Sequence, residues 1–71
     1  MTEATIRDAE NHILDALREA GELAFWEIRE NCNAVATLSN DELEEVLRHA
    51  IDSGSIGTLW GDGTILFIPF V

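Results

Sequence analysis

Residues 38 to 54 spell out a single helix with its start, its buried face and its stop all marked, and any fold of this chain has to accommodate it. The segment reads Leu38-Ser39-Asn40-Asp41-Glu42-Leu43, then Glu44-Glu45-Val46-Leu47-Arg48-His49-Ala50-Ile51-Asp52-Ser53-Gly54. Ser39 is an N-cap, and Glu42, three residues on, can reach back to close a capping box. Leu38 before the cap and Leu43 at the fourth helical position form the accompanying hydrophobic staple. Asp41 and Glu42 also sit at the positive end of the helix dipole. Leu43, Val46, Leu47, Ala50 and Ile51 recur at helical spacing, and Gly54 marks the stop. The other side of the helix is acidic.

The remaining segments are shorter and fit around this helix. Ile6, Ala9, Ile13, Ala16, Leu17 and Ala20 predict a first helix from about Thr5 to Ala20, ended by Gly21. Its polar side carries Glu3 and Arg7, spaced for a weak ion pair one turn apart. Glu22-Leu23-Ala24 has room only for a turn or a brief strand. A short helix from about Phe25 to Asn31 follows, with Phe25, Ile28 and Cys32 on one stripe, and Asn33 to Thr37 reads as a loop. Ile56 to Trp60 and Thr64 to Ile68 are strand-like runs flanking Gly61-Asp62-Gly63, which reads as a three-residue hairpin turn. Pro69 cannot donate to a ladder and belongs at an edge or beyond the paired region.

Seventy-one residues make one domain, 1–71, with a marginal core, because a chain this short buries only about 60% of its unfolded surface. Ile13, Leu17, Ile28, Leu43, Leu47 and Ile51 are expected to share that core. No charged-then-apolar leader and no apolar run long enough for a membrane span is present, so the expectation is a cytoplasmic protein with no membrane partner. Cys32 is the only cysteine; it excludes an internal disulfide and reads as a small core residue.

Helix, brief strand, short helix, turn, longer helix, two-stranded hairpin: in that order the chain resembles a winged helix-turn-helix domain, an α+β fold. The likeness rests on Ile13-Leu14-Asp15-Ala16-Leu17 with Gly21, on Leu23 to Ile28, on Leu43 to Ile51, and on the two strand runs as the wing. It implies a third helix and a wing that bind duplex DNA, although many relatives of this family bind only proteins. Read that way, Arg48, His49 and Asn40 would be the DNA-contacting residues.

Charge opposes that reading. Fourteen acids face four arginines and no lysine, for a net charge of −10, and the arginines form no basic patch. Between residues 41 and 52, five acids and one arginine leave −4 where a DNA reader needs cations to displace counterions. The outward residues there are Asp41, Glu44, Glu45, Arg48, His49 and Asp52, and Glu44 and Asp52 lie one turn either side of Arg48 to compete for it. Such a field repels nucleic acid and attracts basic surfaces. The expected function is therefore non-enzymatic protein binding through Asp41, Glu44, Glu45 and Asp52 with Glu27 and Glu30. Its most concrete form is a phage or mobile-element inhibitor, of the anti-CRISPR or anti-restriction kind, that blocks the nucleic-acid site of a host complex. The alternative is a winged-helix transcription regulator, for which a salt-rich cytoplasm would mute the repulsion. Nine Glu to five Asp is not the usual halophile balance.

No catalytic, cofactor or metal constellation is expected. The acids read as solvated carboxylates on helix surfaces. His12 and His49 each follow an acid by one turn, Asp8 and Glu45, and read as surface residues in weak helical pairs. With Cys32 as the one further ligand candidate, the spacing fits no zinc motif. The tail Ile65-Leu66-Phe67-Ile68-Pro69-Phe70-Val71 is apolar on both faces where a half-exposed strand should alternate. Its second face, with Trp60, is either wrapped by the chain's own end or buried in an oligomer. A homodimer or partner contact through Trp60, Phe67 and Phe70 is the expectation.

Overall fold

Thr2 opens the first helix in the computed structural model, which describes residues 2–70. Helix α1 spans Glu3–Ala20, starting earlier than periodicity predicts because Thr2 supplies a cap: its hydroxyl accepts from the Thr5 amide at 3.2 Å. Arg7 pairs with Glu3 at 3.2 Å and His12 with Asp8 at 3.7 Å, as the spacing predicts. Both pairs are exposed and contribute little to stability. The buried stripe of α1 is Ile6, Ala9, Glu10, Ile13, Leu14 and Leu17. Leu14 therefore joins the core, whereas Ala20 is exposed.

The chain then makes a two-residue strand, β1 (Leu23–Ala24), and passes directly into α2 (Phe25–Asn31). Ala24 at the α2 N-cap has no side chain to offer, so Glu27 supplies the local contact by accepting the Ala24 amide at 2.9 Å. The predicted loop contains a single 3₁₀ turn at Asn33–Val35 that buries Val35. Arg29 fastens this stretch. Its guanidinium donates to the carbonyls of Leu38 and, at 3.4 Å, Ala36, and to Asn40 Oδ1 at 2.7 Å.

Helix α3 spans Asn40–Asp52. Both halves of its capping box form: the Glu42 amide donates to Ser39 Oγ at 3.2 Å, and the Ser39 amide to Glu42 Oε1 at 3.0 Å. Ser39→Ala should cost about 0.5–2 kcal/mol by urea denaturation, the ordinary loss for a deleted cap. Ser39, first through its backbone amide and then its hydroxyl, holds the Glu42 carboxyl below the usual carboxylate range. A carboxyl lowered on folding adds stability above its unfolded pKa, about 4.3, and loses it as pH falls through the lower folded value. Glu42→Gln keeps an acceptor but not the charge, and should flatten that acid-side dependence in thermal melts between about pH 5 and pH 2.5.

Two strands close the fold, β2 (Ile56–Gly61) and β3 (Thr64–Pro69). Beyond the expected hairpin, β1 adds to the free side of β3, giving a three-stranded antiparallel sheet in the order β1-β3-β2. Leu23 pairs with Phe67 and Ala24 with Leu66, while β2 runs from Ile56 opposite Pro69 to Gly61 opposite Thr64. The turn is accordingly two residues, not three. Asp62 and Gly63 both have positive φ, +49° and +79°, the requirement of a type I′ turn that Asp-Gly meets, and Gly61 stays in the ladder. The Phe70 amide donates to the Ser55 carbonyl at 2.9 Å. By the antiparallel alternation, neighbouring Pro69 then stands where a ladder hydrogen bond to β2 is not called for.

The inner sheet face packs Leu23, Ile56 and Phe67 on the helices, and the core also takes in Ile13, Leu17, Ile28, Cys32, Val35, Leu43, Val46, Leu47 and Ala50. One predicted core residue is displaced: Ile51 is 40% exposed. The helix register is not at fault, since Leu43, Val46, Leu47 and Ala50 are all buried. At 3.6 residues per turn, Ile51 lies about 90° from the mean direction of those four, on the flank of α3 that faces the hairpin. On the outer sheet face Leu66 and Ile68 are half-buried and Leu59 is exposed. Phe70 folds its ring over Gly57, where a Cβ would sit 2.2 Å from Phe70 Cζ. The chain's own end thus covers part of that face, which Trp60 does not share: paired with Ile65, it stands on the same side of the sheet as Phe67. Val71, the last residue of the apolar tail, lies outside the described residues.

Candidate functional site

Two surfaces meet along α3. The first is its outward side, where Asp41, Glu44, Glu45, Arg48, His49 and Asp52 line a shallow depression of about 400 Å³. Helical spacing alone places these residues together, and the rigid capped helix holds them there. Glu27 and Glu30 are not part of this depression, and the Glu27 carboxylate is turned back to the Ala24 amide.

The second surface is a groove of about 500 Å³ between α3 and the hairpin. Leu47 and Phe67 form its floor, Ile51 stands on the helix side, and Trp60, Thr64 and Ile65 form the opposite wall, with Phe25 nearby at the start of α2. Trp60 and Ile65 are cross-strand partners, so the hairpin presents them side by side beyond the helical layer. Glu44 and Arg48, one turn apart, line both the groove and the acidic depression and make the ridge between them.

The predicted oligomer contact divides. Trp60 and Phe70 are exposed, at 76% and 62%, but Phe67 is buried at 8% and offers a partner no more than the floor of the groove. It sits on the central strand, paired with Leu23 on one side and Thr58 on the other, directly under the helices.

The alternative DNA-contacting set is engaged within the molecule to different degrees. Asn40 accepts from Arg29. His49 does not use Glu45: its Nδ1–H donates to Glu10 Oε2 of α1 at 3.0 Å. Arg48 has no carboxylate within ion-pair distance among the described residues, so neither Glu44 nor Asp52 competes for it as the spacing suggests.

Glu10 corrects the reading of every acid as a solvated surface group. It is 6% exposed, in the centre of the α1 buried stripe. A buried carboxylate needs partners, and it has two, the His49 imidazole and the Ser53 hydroxyl at 3.3 Å. The Ser53 hydroxyl, with one proton, also faces the Ala50 carbonyl at 3.1 Å. The signal was present in the spacing: Glu10 is four residues after Ile6 and three before Ile13, inside the apolar stripe rather than opposite it.

No helix among the described residues is long and apolar enough to cross a membrane. Comparison with protein-family models, with curated proteins and with solved structures finds no match to this chain.

Proposed function

We propose that this chain is an acidic member of the winged-helix class that works by binding another protein, with α3 and the adjoining hairpin, as the wing, forming the contact surface. The single observation that carries this reading is the ridge of α3, where a row of solvent-facing carboxylates borders an open apolar groove. Carboxylates steer a basic partner and set its orientation, and desolvated apolar contacts supply most of the affinity. The sheet order β1-β3-β2 and the short second helix before α3 support the winged-helix assignment. In its most concrete form the protein is a phage or mobile-element inhibitor, of the anti-CRISPR or anti-restriction kind, occupying the nucleic-acid path of a host complex.

Affinity capture from the source cell, read by mass spectrometry, tests the reading. Wild-type bait should retain Lys/Arg-rich proteins at about 0.1 M salt and lose them progressively toward 0.5 M as the charges are screened. Bait carrying Glu44→Lys and Glu45→Lys should retain few of them. Equal recovery by both baits would remove the acidic face from the mechanism. One observation favours the DNA-regulator alternative: Arg48, unpaired among the described residues, stands on the outward face of α3.

A further inference from the structure

The groove beside α3 is charged along one side only, and that asymmetry specifies an occupant. Its helix side is edged by Glu44 and Arg48, and the depression that these two share with Asp41, Glu45 and Asp52 sets four carboxylates against that one arginine, whereas the hairpin wall of Trp60, Thr64 and Ile65 carries no charge. Isolated exposed apolar side chains are ordinary on a protein surface. Here Ile51, Trp60 and Ile65, exposed at 40%, 76% and 40%, converge on one concavity floored by buried Leu47 and Phe67.

We infer that the groove receives a cationic amphipathic helix of the partner protein, its aliphatic or aromatic residues seated on Leu47, Ile51, Trp60 and Ile65 and its Lys or Arg side chains laid against Glu44, Glu45 and Asp41. The inference rests on the protein-binding reading of the acidic face and adds to it the shape and polarity of what binds. A segment that must be apolar beneath and cationic toward one side is what a helix with apolar residues at i, i+3, i+4 and i+7 presents. A second copy of this chain does not fit. Its charge of −10 would set carboxylates against carboxylates, and three of its four arginines are already engaged, Arg7 with Glu3, Arg18 with Asp15 and Arg29 with the segment before α3. Nucleic acid meets the same repulsion at the rim.

Three synthetic peptides test this. One has leucines at helical spacing with lysines on the opposite face, the second replaces its leucines by glutamine, and the third replaces its lysines by glutamate. Trp26→Phe, a change away from the groove, leaves Trp60 as the only tryptophan, so its fluorescence reports the groove directly. The Leu/Lys peptide should shift Trp60 emission to the blue and bind at least about tenfold tighter than either control. Ile51→Ser should weaken it about tenfold to a hundredfold, the range that burial of one aliphatic side chain supplies. Ile65→Ser on the opposite wall should act in the same direction, with circular dichroism checking that both variants fold.

Equal binding of the Leu/Lys and Gln/Lys peptides, insensitive to Ile51→Ser, would overturn the groove inference while leaving the acidic face as the binding surface. Equal binding of the Leu/Lys and Leu/Glu peptides would overturn the cationic occupant and the acidic-face reading with it. Binding by none of the three would also overturn both. If sedimentation equilibrium shows a dimer that Ile51→Ser dissociates, the occupant is a second copy and the inference is overturned.

Discussion

Truncating Leu17 to alanine should remove a large fraction of the chain's stability at 25 °C. Leu17 is fully buried on α1, in the core shared with α3, the sheet and the 3₁₀ turn. A buried leucine cut to alanine loses the transfer free energy of the missing carbons and leaves a cavity that relaxes only in part, at a cost of about 2–5 kcal/mol. At roughly 0.05–0.15 kcal/mol per residue, a chain this short has only about 4–11 kcal/mol in all. The loss is therefore a large fraction of the total, and urea denaturation should show the midpoint falling steeply with little change in slope. An exposed apolar residue gives the contrast: Leu59→Ala on the outer sheet face should shift the midpoint far less. If the two variants unfold alike, the core does not lie between the helices and the inner sheet face.

Reversing Glu44 and Glu45 to lysine should exchange the protein's preference between basic and acidic partners. The two changes take residues 41–52 from −4 to neutral, each removing one negative charge and adding one positive. Affinity for the Leu/Lys peptide at about 0.1 M salt should fall tenfold or more, and its remaining salt dependence should flatten. Wild-type protein should bind random-sequence duplex DNA more weakly than about 10⁻⁴ M, the weak end of ordinary non-specific binding, and the reversed protein should bind it detectably better. Arg48→Ala separates the two functional readings, because it should abolish any sequence-specific DNA binding yet leave binding to a basic protein nearly intact. Sub-micromolar, sequence-specific DNA binding by the wild type that disappears in Arg48→Ala would make the protein a regulator, with an acidic surface that serves solubility alone.

What the sequence disclosed tracks how local each feature is. The third helix could be placed to the residue because its cap, capping box and stop are all contained within neighbouring positions, and α2 was bounded as closely. The hairpin was legible from its strand runs and glycines. Assigning Gly61 to the turn or to the ladder needs the pairing register, which sequence spacing does not supply. Strand β1 is only two residues long: Glu22-Leu23-Ala24 leaves a turn or a brief strand open, and pairing with the free side of β3 decides for the strand. The acidic row on α3 followed from periodicity alone. The groove beside it did not, because its walls come from elements brought together only by the fold. Ile51 illustrates the difference: helical spacing counts it among the apolar positions, and only the placement of the hairpin decides that it borders a cleft.

The contact between Glu10 and His49 has a consequence for that placement. Apolar packing is non-directional, so α3 could slide along α1 and recover much of the same buried area. A hydrogen bond is directional, and the one between the buried Glu10 carboxylate and the His49 imidazole on another helix favours the offset at which it forms. It acts as an index mark in an otherwise slippery interface. By favouring one position of α3 along α1, it also favours one placement of the acidic ridge relative to Trp60 and Ile65 across the cleft.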